Sequence, residues 1–265
     1  MPNFGLIIIG DEILSGKRQD KHLPKVIELL TARGLGLAWA RYVGDNRTHI
    51  TEALGHALAS GDIVFSCGGI GATPDDHTRQ CAALASGRAL ALHPVAKALI
   101  LERMQDVARE QGLPYEPDRE DNVHRLNMGV FPEGAEIITN PYNKIPGFSL
   151  GDVHFVPGFP VMAHPMIEAL LDTRYAGLHG SQVLREQSVI VQGAMEASLT
   201  PLMEDIEKRF APIKVFSLPS VDHPVHGRHI ELGVKGQPGQ TQAAFDALLE
   251  GLITFGAVLG PKMVR

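Results

Sequence analysis

Apolar residues near the start of the chain come in two rhythms. Compact runs, Phe4-Gly5-Leu6-Ile7-Ile8-Ile9-Gly10, Leu37 to Val43 and Ile63-Val64-Phe65, suit strands covered on both faces. Between them the apolar positions recur every three or four residues, the helical period. Lys21 to Arg33 presents Leu23, Val26, Ile27 and Leu30 on one face and stops at Gly34. Arg47 to Ala59 turns Ile50, Leu54, Ala57 and Leu58 inward behind a cap at Asp45 or Asn46. A third helix is expected from about Asp75 to Ser86. The order β-α-β-α-β-α implies a parallel, doubly wound sheet with right-handed crossovers.

Further on, Ala89 to Leu92 reads as a short strand and His93 to Gln111 as a helix with Val95, Ala98, Leu99, Leu101 and Met104 on its stripe. Leu113 to Asn127 is polar and irregular, with a short helix around Asp121–Leu126. Ala135 to Thr139 is a strand, and Asn140 to Phe148 is a loop that contains Asn143. Phe148 to Leu150 and Val153 to Val156 form a hairpin across Gly151-Asp152, and Val161 to Leu171 is a helix. The rhythm then lapses between Asp172 and Ser181. A smaller α+β unit of the split βαβ kind follows: strand Val183 to Gln192, a helix with Met195, Leu199, Leu202, Met203, Ile206 and Phe210 on one face, strands Ile213 to Leu218 and His229 to Val234, and helix Gln240 to Phe255. The expected domains are 1–174 and 182–259, with Met195 and Met203 as core filling.

Chemistry concentrates in Asp62 to Thr78. A buried strand runs into Gly68-Gly69-Ile70-Gly71-Ala72-Thr73, and a helix follows. Glycines let the backbone turn sharply and approach a ligand closely, and helix N-terminal amides attract phosphate. Asp75 and Asp76 cap that helix or place carboxylates beside a bound phosphate, where a metal ion would relieve the repulsion. The glycine spacing fits neither a dinucleotide fingerprint nor a Walker A loop. Asp11-Glu12 after the first strand and Asp45 after the second are each either an acidic loop or cap, or acids at the ligand edge of the sheet. Pro157-Gly158-Phe159-Pro160 sets another rigid turn at that edge. His77 is either a proton acceptor or an exposed residue, and His223, His226 and His229 are either a solvated hairpin loop or metal ligands.

Composition narrows the partners. The net charge of −6 has no long basic run to offset it, which argues against nucleic acid. No stretch approaches a membrane span, and the short apolar run at Leu6 to Ile9 leads straight into acids rather than forming a signal segment. Cys67 and Cys81 have no zinc or redox spacing, as suits a reduced cytoplasm.

Four segments occur in order: Gly10-Asp11-Glu12-Ile13-Leu14-Ser15-Gly16, Val43-Gly44-Asp45-Asn46, Gly68 to Thr78, and Pro157-Gly158-Phe159-Pro160. Together they resemble the molybdopterin-binding domain of the competence/damage-inducible protein A (CinA) family, which is related to MoaB and MogA and similar to the N-terminal part of eukaryotic FAD synthase. The resemblance covers roughly residues 4–172. It implies a three-layer α/β/α fold, a mostly parallel sheet, and a dimer or trimer. It further implies a phosphate-bearing ligand: ADP-ribose or FAD, cleaved by a metal-dependent pyrophosphatase, or a pterin, bound or adenylylated. On that basis Glu12, Asp45 and Asp76 are the expected catalytic and Mg²⁺-type ligands. Gly68, Gly69, Gly71, Ala72, Thr73, Asp75, Thr78, Asn143, Pro157 and Gly158 are the expected ligand contacts.

Overall fold

The computed structural model describes residues 2–181 and 184–265, together with every side chain among them but that of Asp121. The expected strand start at Val183 and domain start at Gln182 lie outside the described residues. The chain divides into two compact units, Met1–His179 and Gly180–Arg265. No helix among the described residues is long and apolar enough to cross a membrane.

The first unit is built on β1 (Phe4–Ile9), which lies between β2 (Leu37–Val43) and β3 (Ile63–Cys67), parallel to both. β3 pairs in parallel with β8 (Val153–Val156), and β7 (Gly147–Leu150) and β6 (Glu136–Ile138) extend that edge antiparallel. The sheet order is β2-β1-β3-β8-β7-β6, and a separate two-stranded ladder pairs β4 (Leu90–Leu92) with β5 (Val130–Pro132). Successive side chains on a strand face opposite ways, so each central strand feeds two cores. Phe4, Leu6 and Ile8 join Phe65, Val26, Leu30 and Met166, under α2 (His22–Thr31) and α7 (Pro160–Thr173). Ile7, Ile9 and Val64 join Ile50, Leu54, Ala82 and Ala96 on the other face, under α3 (Arg47–Ser60), α4 (Thr78–Ser86) and α5 (Pro94–Gln111). A single turn, α1 (Asp11–Leu14), follows β1, and α6 (Glu120–Leu126) lies in the polar arm.

The second unit is a four-stranded antiparallel sheet, β10 (Lys214–His223), β11 (Gly227–Gly236), β9 (Arg185–Gln192) and β12 (Val258–Val264), in that order. Its core joins Val189, Val191, Leu232 and Val234 to Leu199 and Ile206 of α8 (Glu196–Arg209) and to Phe245 and Leu248 of α9 (Pro238–Phe255).

Three elements depart from the sequence reading. β5 and β12 were not expected, because Pro132 in one and Gly260-Pro261 in the other are residues that central strands exclude; both strands are short or at an edge, where proline is tolerated. α4 begins at Thr78 rather than Asp75, since Asp76 turns back to accept the Thr73 N–H at 2.9 Å instead of capping the helix. Met195 is 69% exposed just before α8, so it is not core filling, and Ile27 and Val95 are likewise exposed.

One polar chain, buried at Ser149, His154 and Tyr175, ties the segment after α7 to the sheet. Ser149 Oγ lies 2.7 Å from His154 Nδ1, His154 Nε2 lies 2.6 Å from the Tyr175 hydroxyl, and that hydroxyl donates to Asp152 at 2.7 Å. The pattern is satisfied by a neutral imidazole with its proton on Nε2, and burial pushes the His154 pKa down to about 3. Unfolding frees this histidine to take a proton at its ordinary 6.5, so the stability it contributes is present at neutral pH and declines as pH falls from about 6.5 towards 3. Tyr175→Phe strands the buried imidazole N–H and is expected to cost about 1–3 kcal/mol. Urea unfolding of the full chain at pH 7 measures this, and an unchanged midpoint would show that the chain adds nothing.

Candidate functional site

The chain steps from β1 to β2 on one side and returns to β3 on the other, so the winding reverses between β1 and β3. Ligand crevices of open α/β sheets form at this point, at the carboxyl ends of the strands. A cavity of about 600 Å³ opens there. Ile9 and Gly10 line it from the end of β1, Asp45 from the end of β2, the glycine loop from the end of β3, and Pro157, Gly158 and Phe159 from the end of β8.

The glycine loop is shaped by contacts only glycine permits. Gly68 and Gly69 hold φ of 109° and 68°, left-handed values, and a Cβ on Gly68 would run into the Ile9 carbonyl. Thr78 then clamps the loop: its hydroxyl donates to Gly68 O at 3.0 Å and its N–H to Gly69 O at 2.9 Å. Thr78 is fully buried and does not line the cavity, so its part is to hold the loop rather than touch a ligand. The other expected contacts, Gly68, Gly69, Gly71, Ala72, Thr73, Asp75, Asn143, Pro157 and Gly158, all border this cavity. Asn143 is fixed in turn by Asn140 Nδ2 at 2.8 Å and by the Ile145 N–H at 3.1 Å.

Glu12, Asp45 and Asp76 border the same cavity, but they are not closed into a cage. Among the described residues, no group of three or more His, Cys, Asp or Glu side chains is arranged to hold a metal ion. Local bonds explain the spacing. Asp45 Oδ2 accepts the Asp11 N–H at 2.9 Å, while Asp11 Oδ1 accepts the Asp45 N–H at 3.1 Å. Asp76 Oδ2 is drawn to the N–H and hydroxyl of Thr73. The same finding applies to His223, His226 and His229 in the second unit, although their ring centroids lie 4.9–5.6 Å apart at the β10–β11 hairpin.

The acids nevertheless feel one another. Burial raises the Asp45 pKa, and the charges of Asp11, Glu12 and Asp75 raise it further, against the lowering by the Asp11 N–H. Asp75 is exposed, and the neighbouring Thr73 hydroxyl lowers its pKa. His77 borders a neighbouring cavity, not this one. Sequence reasoning missed Arg18, Met128, Ile145, Pro146, Phe159 and Met162, which complete the walls. Phe159 stood inside the Pro-Gly-Phe-Pro segment, and its 55% exposure marks it as a ring offered to the cavity rather than to the core.

Comparison with known proteins gives this geometry a family. The family described as "Probable molybdopterin binding domain" matches residues 5–176. The chain belongs to this family. It is 30% identical over 264 residues to a protein of Pyrobaculum calidifontis, covering 96% of this chain and 95% of that one. It is 29% identical over 222 residues to a CinA-like protein of Syntrophotalea carbinolica, covering 78% of this chain and 51% of the relative. A crystal structure described as the protein CinA with unknown function, from Thermoplasma acidophilum, superposes with a TM-score of 0.53 at 28% identity, over 64% of this chain and 96% of that one. The matched span is the first unit, which carries the cavity, and this is a CinA-type molybdopterin-binding domain.

The acidic rim makes a prediction that separates stability from function. Folding disfavours ionised Asp45, so the stabilisation tied to its protonated form is present at low pH and is lost as pH rises through its raised pKa. Asp45→Asn keeps an oxygen for the Asp11 N–H and removes the repelled charge. Its melting temperature at pH 7 is expected to equal or exceed that of the unmodified chain, with the difference shrinking as the pH is lowered. A clear drop at pH 7, seen by thermal scanning, would mean that the Asp45 charge is held by attraction instead.

Proposed function

We propose that this chain binds a nucleotide-type pyrophosphate, of the class of ADP-ribose and FAD, and hydrolyses it with help from a Mg²⁺-like ion. What carries the reading is the convergence of Glu12, Asp45, Asp75 and Asp76 on the cavity that the glycine loop borders. A loop whose amides face a ligand suits a phosphate, whereas four carboxylates repel one. A cation between them reconciles the two. Mg²⁺ is commonly held by one or two carboxylates plus substrate phosphates and water, so it needs no closed protein cage.

Glu12, Asp45 and Asp76 would hold the ion, which when bound would neutralise phosphoryl charge and lower the pKa of an attacking water. Gly69, Gly71 and Ala72 would receive phosphate oxygens on their amides. Thr73 keeps Asp76 turned to the cavity, and Asp75 would position water. Phe159, Met128 and Met162 offer an apolar wall, which suits a planar ring such as adenine, flavin or pterin.

A second reading is a pterin or nucleotide carrier without turnover, or adenylyl transfer to molybdopterin at the expense of ATP. The open arrangement of the acids and membership of a molybdopterin-binding family favour it.

Incubation of the pure chain with ADP-ribose, FAD and NAD, with and without Mg²⁺ or Mn²⁺, distinguishes these readings by release of AMP. Metal-dependent AMP is expected, and Asp76→Asn is expected to lower turnover by about 10²-fold or more with the fold retained. Saturable binding without product would support the carrier. Full activity in Asp76→Asn would remove that residue from the chemistry.

A further inference from the structure

Arg79 holds a charge that the main cavity does not answer. It lies in the first turn of α4 and is 4% exposed. One Nη donates to the Gly71 carbonyl at 2.6 Å, but Nε is buried and has no partner. Asp76 exerts a favourable field on Arg79, yet that carboxylate is turned onto Thr73, and among the described residues Arg79 forms no ion pair. Burial pushes the Arg79 pKa down, although a guanidinium stays charged in proteins. A buried cation with an unmatched N–H is costly unless an acceptor meets it.

Arg79 also lines a second cavity of about 230 Å³, distinct from the main one. Arg47, exposed at the start of α3, and His77, just before α4, line it too. Both helices therefore begin at this cavity, and their N-terminal ends favour negative charge. Ala72, Thr73 and Asp76 border both cavities, so the segment between Gly71 and Thr78 separates two binding spaces. The Asp76 carboxylate is the one acidic group on the second wall.

We propose that this second cavity is an oxyanion site, with Arg79 reaching a phosphate-like group from inside and Arg47 closing on it from the rim. The ligand chemistry is a tetrahedral phosphate. It comes either as free orthophosphate or as a phosphate of a ligand whose remainder lies in the main cavity across the shared segment. The assignment stands whether or not the main cavity hydrolyses pyrophosphate, because it rests on Arg79 and Arg47 lining this second cavity and not on the carboxylates.

The test is titration of the full chain with orthophosphate at constant ionic strength, chloride serving as the control anion, read by thermal shift and by ³¹P NMR line broadening. Saturable phosphate binding is expected. Arg47→Gln, a surface change, should weaken it about tenfold, a loss of about 1.4 kcal/mol. Arg79→Lys, which keeps charge but loses the planar guanidinium fork, should weaken it as well, and if that variant fails to fold the Arg47 variant decides alone. Repeating the titration with AMP separates the sources. Unchanged phosphate affinity in saturating AMP means a free oxyanion. Mutual exclusion, with AMP binding itself weakened by Arg47→Gln, means the phosphate of a larger ligand. No binding beyond that of chloride would overturn the proposal, and so would phosphate binding indifferent to Arg47→Gln, which would place the phosphate outside this cavity.

Discussion

The ligand edge of this molecule depends on the clamp of Thr78 on Gly68 and Gly69. Strand β3 must end, turn back beneath the end of β1 and start α4 within about ten residues. Left-handed backbone at Gly68 and Gly69 makes the turn possible, and a buried hydroxyl and amide on Thr78 make it definite. Such buried bonds gain only about 1 kcal/mol each, but leaving their partners unmet costs more, so the loop has one low-energy path. Everything that borders the cavity after β3 is positioned by that path: the loop glycines, the shared segment at Ala72 and Thr73, and Asp76.

Placing acids round this loop raises electrostatic tension that the fold does not remove. Asp11 and Asp45 trade backbone bonds and so lock the ends of β1 and β2 together, at the expense of holding two carboxylates close. Burial first, and the charges of Asp11, Glu12 and Asp75 after it, raise the Asp45 pKa. Arg79 carries the opposite tension, a buried positive charge whose natural counter-ion has turned away. Unrelieved charge of either sign is poor design for stability alone and is the ordinary signature of sites that wait for a ligand. In this CinA-type domain the two kinds of tension lie on either side of one short segment.

The sheet was legible because burial on both faces writes itself as compact apolar runs. Phe4 to Ile9 and Ile63 to Phe65 could hardly be anything else, and their order with two amphipathic helices implied the winding reversal that makes the crevice. What was not legible came from two causes. Local polar bonding competes with helix formation, so Pro74-Asp75-Asp76 looked like a helix start although Asp76 serves Thr73 instead. Edge strands tolerate proline, so β5 and β12 were hidden by the residues that normally exclude strands. The loop glycines and acids that border the cavity carried local signals in the sequence. Arg18, Met128, Phe159 and Met162 come together only through the tertiary fold, and the missing partner of Arg79 is a property of packing that no spacing encodes.

The account turns on cation and phosphate being bound together at one crevice, each making room for the other. Calorimetric titration of Mg²⁺ into the chain, alone and then with saturating ADP-ribose, measures that coupling directly, and linkage requires the converse titration to give the same factor. The account predicts weak metal binding alone and binding at least about tenfold tighter with the ligand present, equivalent to about 1.4 kcal/mol of coupling. Equal Mg²⁺ affinity in both titrations, with ADP-ribose shown to be bound, would contradict it.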